Sequence, residues 1–379
     1  MRVYLDNAAT TPLCPAAAKA MEPYMTKMFY NPSAGYSDSV NIKNKIEECR
    51  SRLAGLLNAD TEEIYFTSGG TESDNWALEI GRLHGNEIIS QSTEHKAILN
   101  KLSQLEKRGT FVGILPVDRR GRVDTEDVKR NITKGRGLLS IMYGNNEIGT
   151  IQPVKELAEI AGRNGVWFHT DAIQAFGHVK IDVRELGVDM LSGSSHKFGG
   201  PKGVGFLYVD KKLPINPLIV GGGQERGLRG GTENVPGIVG MVAAAEHACN
   251  NLERTEKKCR KNAQIIYDAI MNNIPEVIFN GCPIGENRLP NNLSFCFKGV
   301  DAAELLVMLD VCGICASAGS ACNTSKNSYV LEKIRVEKEY INGCLRLGID
   351  ESLSQTAIDY VVNCLIKIVG EIRTKRKLG

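Results

Sequence analysis

The sequence predicts an α/β fold, with a large domain on a mainly parallel sheet flanked by helices and a smaller α+β domain beside it. Three observations carry this reading. Strand-like and helix-like segments alternate through the first two thirds of the chain, and the texture changes near residue 231. The chain also has 379 residues, 42% of them hydrophobic, which is more than one typical core requires.

"EEIYFTS" (62–68) is a short β-rich run, and "GGTESDNWALEIGRL" after it reads as a glycine turn opening a helix. "NEIIS" (86–90), "FVGILPV" (111–117), "GLLSIMY" (137–143), "VWFHTDA" (166–172), "DMLSGS" (189–194) and "GVGFLYV" (203–209) continue the strand series. Helical patterns such as "PVKELAEIAGRNG" fall between them. From residue 231, the stretch running through "VAAAEHACNNLERTEKKCRKNAQIIYDAIMNN" suggests one or two long amphipathic helices linking two bodies. "NNLSFCF", the helix-like "DAAELLVMLDVCG" and the loop "CASAGSACNTSKNS" then form the smaller domain, joined by the N-terminal residues. The expected division is 13–255 for the large domain, and 1–12 with 256–379 for the small one.

Composition narrows the function. Net charge is +2, and no long basic run stands outside the tail "RTKRKLG", so direct nucleic-acid binding is not expected. No apolar run reaches membrane-spanning length, and no leader-like segment precedes Val3-Tyr4-Leu5. The 11 cysteines read as scattered, without C-x-x-C pairs or a Cys/His zinc pattern, so neither a metal site nor a disulfide scaffold is expected. A reduced, cytoplasmic setting follows, with most thiols acting as small hydrophobes.

Two constellations carry chemistry. In "SGGTES" (68–73), a strand, two glycines and Thr71 at a helix start present free N–H groups and the positive dipole end to an anion; a plain N-cap explains Thr71 as well. In "HTDAIQAFG" (169–177), Asp171 closes an apolar strand, where α/β folds bind ligands, or else caps a helix. Ser194-Ser195-His196-Lys197 follows after one helix and one strand. A carboxylate and a lysine at two such strand ends suit one bound ring, with a pyridine nitrogen on Asp171, an aldehyde carbon on Lys197 and a phosphate near Thr71. Pyridoxal phosphate needs all three.

"YLDNAATTP", "FTSGGTESDN", "STEHKAIL", "NNEIGTIQP", "HTDAIQAFG", "SGSSHKFGGPKGVG", "GGGQERGLRGGTENV", "RLPNNLSF" and "SAGSAC" occur in one order along essentially the whole chain. In these blocks the sequence resembles the cysteine desulfurases of the NifS/IscS type, class V pyridoxal-phosphate enzymes of fold type I with a mixed, mainly parallel sheet. The resemblance implies that Lys197 is the Schiff-base lysine and Lys202 a structural neighbour. It implies Asp171 on the pyridine nitrogen, Gln174 on the ring's phenolic oxygen, and His95 stacked on the ring face and moving protons. Gly70, Thr71, Ser194 and His196 match phosphate-cradle positions. Thr232 matches a residue that reaches the phosphate from a second subunit, which implies a homodimer. Asn146 matches a contact to cofactor and substrate, Arg346 the clamp on the substrate carboxylate, and Cys322 the catalytic cysteine.

The implied reaction converts L-cysteine to L-alanine and leaves a Cys322 persulfide for a sulfur-acceptor protein serving iron–sulfur cluster assembly or tRNA thiolation. The alternatives are selenocysteine lyase or an aminotransferase on the same cofactor, and a non-enzymatic scaffold. Cys322 speaks against the aminotransferase, and intact Lys197, Asp171, Gln174 and Arg346 against the scaffold. The chain departs from the family pattern at Tyr36 and Tyr143, where relatives usually carry His, and at "RLGID" after Arg346. Its segment Asn323 to Asn327 after Cys322 is also shorter than usual, which restricts the reach of Cys322 and bears on which acceptor it serves. Cys296 and Cys312, in apolar runs, read as core; Cys14, Cys49 and Cys344 have no motif behind them. His84, His178 and His247 read as structural.

Overall fold

The computed structural model describes residues 1–319 and 328–378. Among them the strands, in chain order, are β1 (Val3–Tyr4), β2 (Ile64–Thr67), β3 (Glu87–Gln91), β4 (Phe111–Leu115), β5 (Leu138–Ser140) and β6 (Trp167–Asp171). There follow β7 (Met190–Ser194), β8 (Gly205–Val209), β9 (Val277–Phe279), β10 (Asn292–Phe297), β11 (Ile314–Cys315) and β12 (Cys344–Gly348).

Seven strands form one sheet in the order β2-β8-β7-β6-β5-β3-β4. Only β8 runs against the others; the pairs from β7 across to β4 are parallel. Side chains alternate between two cores, as the strand period requires. Phe66, Ile89, Leu139, Leu191 and Phe206 enter one, while Tyr65, Ile88, Leu138, Met190 and Leu207 enter the other with Trp76. Both faces are therefore covered, as in helix-flanked parallel sheets. The seven strand-like runs of the sequence all lie in this sheet, and the helical pattern of residues 153–165 forms Val154–Arg163.

Reversal at β8 has a local consequence. Because β7 and β8 pair antiparallel, residues 195–204 turn back as a loop at the carboxyl end of β7 instead of crossing over through a long helix. Lys197 sits in that loop.

The amphipathic stretch beyond 231 resolves into two helices, Val235–Asn250 and Leu252–Asn273. A third core gathers Ile266 and Ile270 of the latter, Leu293, Phe295 and Phe297 of β10, and Ile358, Leu365 and Ile372 of the helix Gln355–Leu378. Here the strands pair antiparallel, in the order β12-β10-β9. Val3 and Leu5 join this core, and β1 pairs with β11 in parallel. No helix among the described residues is long and apolar enough to cross a membrane.

Candidate active site

Parallel strands that share one sheet present their carboxyl ends along one edge. Around that edge lies a cavity of about 250 Å³ lined by Gly70, Thr71, His95, Met142, Asn146, Asp171, Ile173, Gln174, Ser194, His196 and Lys197.

The turn after β2 opens the helix Gly70–Gly81, whose N-cap is Gly69 at φ +150° with no side chain to cap it. Thr71 stands inside the first turn and is not the cap. Helix-start N–H groups thus face the cavity wall without a side-chain acceptor at the N-cap. The nearby Glu72 carboxylate is held by the Ser68 N–H at 2.7 Å and by Arg229 at 2.8 Å. Close packing fixes this turn: a Cβ on Gly205 would lie 2.6 Å from the Gly193 carbonyl oxygen and 2.8 Å from Gly69 Cα.

His95 caps the helix Lys96–Glu106, its Nδ1 accepting from the Ala97 N–H at 3.2 Å. That bond leaves the ring proton on Nε2. The residue is exposed toward the cavity, yet enough protein surrounds the ring that desolvation lowers its pKa, helped by Lys197 and Lys96. The ring is neutral at pH 7.

Asp171 ends β6, and its Oδ1 accepts from the Ile173 N–H at 2.8 Å in a turn that opens no helix, so the N-cap reading fails. Burial raises its pKa, and Lys197 works against that rise. Two further buried carboxyls stand behind it. Burial, then the charge of Asp171, drives Asp74 well above the usual carboxylate range and Glu94 to about 8. At neutral pH Glu94 therefore holds its proton. His169, fully buried and bonded to Ser140 Oγ and Ser192 Oγ at 2.9 Å each, falls to about 3 through burial and stays neutral.

Lys197 Nζ donates to the carbonyls of Ala8 and Ala9 at 2.7 Å each. Gln174 Nε2 donates to the same Ala8 carbonyl at 2.9 Å. His178, read as structural, bonds the Lys197 carbonyl through Nε2 at 2.9 Å. His84, read likewise, bonds the Gly165 carbonyl at 2.8 Å and stacks on Trp167. His196 Nδ1 lies 3.1 Å from Thr10 Oγ1, and burial with the charges of Lys197 and Lys202 lowers its pKa to about 4.

Arg346, on β12, borders the cavity wall without lining it. Its Nη1 donates to the carbonyls of Asn146 at 3.2 Å and Gly319 at 3.1 Å, and its Nη2 to Asp6 at 2.8 Å. Its Nε has no partner among the described residues. Thr232 lies in a separate recess with Gly203 and Arg229. Cys322 lies outside the described residues. Tyr36 is exposed beside Tyr30, while Tyr143 is half-buried and donates its backbone N–H to the Asp171 carbonyl at 2.8 Å.

The sequence reading missed the cavity's apolar walls, Met142 and Ile173, and the acids Asp74 and Glu94. It gave no individual role to residues 6–11, although "YLDNAATTP" marked the segment. Cys296 is core as expected, whereas Cys312 is only half-buried because it stands where its helix ends.

Residues 3–361 match the family described as aminotransferase class-V. The cysteine desulfurase IscS of Methanosarcina thermophila is 44% identical over 382 residues, spanning 99% of this chain and 94% of that protein. A solved NifS-like protein superposes with a TM-score of 0.92 at 35% identity, across 98% of this chain and all of that one. A structure of SspA in complex with cysteine superposes with a TM-score of 0.78 at 34% identity, across 91% of this chain and 98% of that one. Whole-chain agreement of this kind, around a cavity that joins a lysine, an acid and a helix start, places the chain in the class-V aminotransferase family, among its cysteine desulfurases.

Proposed function

We propose that this cavity holds pyridoxal phosphate and that the chain uses it to take sulfur from L-cysteine, releasing L-alanine. The observation that carries the reading is the convergence of Asp171 and Lys197, from the ends of neighbouring strands, with the uncapped start of Gly70–Gly81 on one cavity. The donor set fits the cofactor. The helix start, Thr71, Ser194 and His196 would hold its phosphate, Asp171 its ring nitrogen, Gln174 its ring oxygen and His95 its ring face, and Lys197 would hold its aldehyde carbon. When bound, pyridoxal phosphate supplies an electron sink for the charge left at the substrate α-carbon.

The chain's own groups do the rest. Arg346 and Asn146 orient the substrate carboxylate, with the planar guanidinium suited to two parallel bonds. Lys197 Nζ takes the α-proton and returns it, and His95 Nε2–H serves as proton donor beside it. With Glu94 protonated beside it, Asp171 is the acid that ionises there. The Cys322 thiolate attacks the substrate sulfur, so that the substrate's C–S bond breaks and an S–S bond forms on the enzyme. The persulfide then passes to an acceptor protein in the cytoplasm.

A homodimer, with Thr232 reaching the other subunit's phosphate, completes the proposal. Met25, Phe29 and Val220 are strongly exposed apolar residues that a second copy would cover.

Sulfide release from L-cysteine with a thiol reductant, by the wild type and by Cys322→Ala, tests the reading. Release by the wild type alone is expected. Release by both makes Cys322 dispensable and favours a lyase; release by neither, from protein that retains its cofactor, overturns the choice of substrate. Lys197→Ala is expected to lose the bound cofactor's visible absorption on dialysis, and an unchanged band removes Lys197 from its role.

A further inference from the structure

We propose that Cys312 and Cys364 form a reversible disulfide in the core built on β10 and the helix Gln355–Leu378, a modification site separate from the cavity. Cys312 ends the helix Ala302–Val311, and Cys364 lies on the helix Gln355–Leu378 packed against it. Tyr360, one turn before Cys364, donates its hydroxyl to the Cys312 carbonyl at 2.7 Å. That bond pins the end of one helix to the face of the other. The Cys364 thiol interacts directly with both the Cys312 thiol and the Tyr360 hydroxyl. The Tyr360 bond to the Cys312 carbonyl thus brings Cys364, one turn further along the same helix, within interaction range of Cys312.

Access separates this pair from the other thiols of the same core. Cys312 and Cys364 are each half-buried, while Cys259 is buried. Cys312 also stands in C-x-x-C spacing with Cys315, a relation that reading the cysteines as scattered passed over. The fold keeps Cys315 engaged elsewhere, on β11, where its sulfur accepts from Arg2 Nη2 at 3.6 Å. Gly313, at φ +76°, turns the chain between the two. Cys364 is the partner the geometry offers to Cys312.

The chemistry needs a two-electron oxidant, and a peroxide serves. One thiolate attacks a peroxide oxygen, giving a sulfenic acid and releasing hydroxide. The second thiolate then displaces hydroxide from that sulfur, forming the S–S bond. Two thiols lose two electrons and two protons, and hydrogen peroxide becomes two waters. A small dithiol reverses the step by exchange. Burial raises the Cys364 pKa, so the thiolate fraction, and with it the rate, grows with pH across the neutral to alkaline range. The cross-link would tie the helix Gln355–Leu378 to the strand that leads on to Ser317, the bridge partner of Arg346.

The full-length protein is treated with hydrogen peroxide at pH 7 and pH 9, alkylated, digested and analysed by mass spectrometry without reductant. The expected result is a peptide pair joined through Cys312 and Cys364, two hydrogens lighter than the free peptides, more abundant at pH 9 and absent after dithiothreitol. Cys364→Ser should abolish the pair and leave Cys312 open to alkylation. The proposal is overturned if both residues are alkylated singly after peroxide, if they reach sulfinic acid unpaired, or if Cys312 is joined to Cys315 in the wild type.

Discussion

Arg346 and Asp6 form a 2.8 Å ion pair that joins β12 to the segment after β1, and the guanidinium is almost wholly buried. The pair occupies one Nη, carbonyls occupy the other, and Nε has no partner among the described residues. Arginine is thus held rigidly with donor capacity left for a carboxylate. Arg346→Lys keeps the charge and loses the planar fork. The expected outcome is a KM for L-cysteine raised about 10- to 100-fold with kcat little changed, the pattern of lost uniform binding, read from steady-state kinetics.

Glu94 gives a pH-dependent stability. Its pKa in the folded protein is raised from 4.5 to about 8, chiefly by burial. The folded state therefore keeps a proton that the unfolded chain releases, and the favourable contribution present below about pH 4.5 is lost as pH rises through 8. Glu94→Gln keeps the acceptor that meets the Met142 N–H at 2.7 Å and removes the titration. Denaturant melts should show the variant gaining on the wild type between pH 5 and pH 8, by about 1–3 kcal/mol at the upper end. A difference independent of pH would refute the assignment.

Gly205 is a backbone-packing position. The atoms its Cβ would meet, the Gly193 oxygen and Gly69 Cα, belong to main chain and cannot rotate aside. Gly205→Ala should cost about 3 kcal/mol and displace the turn that opens Gly70–Gly81. Cofactor retention on gel filtration should fall along with the thermal midpoint. Retention unchanged in a destabilised protein would separate the turn from the anion cradle.

Much of this was legible in the chain. Seven apolar runs gave the sheet because strands buried on both faces read as continuous hydrophobic stretches. Asp171 and Lys197 were visible because Asp171 closes one such run and Lys197 stands just beyond another, after Ser195 and His196. The hold of Ala8 and Ala9 on Lys197 was not, since two backbone carbonyls carry no side-chain signature and act across nearly half the chain. Asp74 and Glu94 escaped for another reason. Carboxyls near helix starts usually face water, and only the completed packing shows these two buried beside Asp171. Cys312 was read as core from its apolar neighbours, yet position at a helix end decided its exposure.

The first dozen residues pair with β11, salt-bridge to Arg346, grip Lys197 and bond to His196 and Gly199. They are synthesised long before every one of those partners. During synthesis the central sheet has all its strands once β8 emerges, while the segment that steadies its lysine must wait for β11 and β12. A nascent chain is thus expected to hold all the strands of the sheet before the candidate site is complete. The candidate site is complete only when β11 and β12 meet the segment around β1.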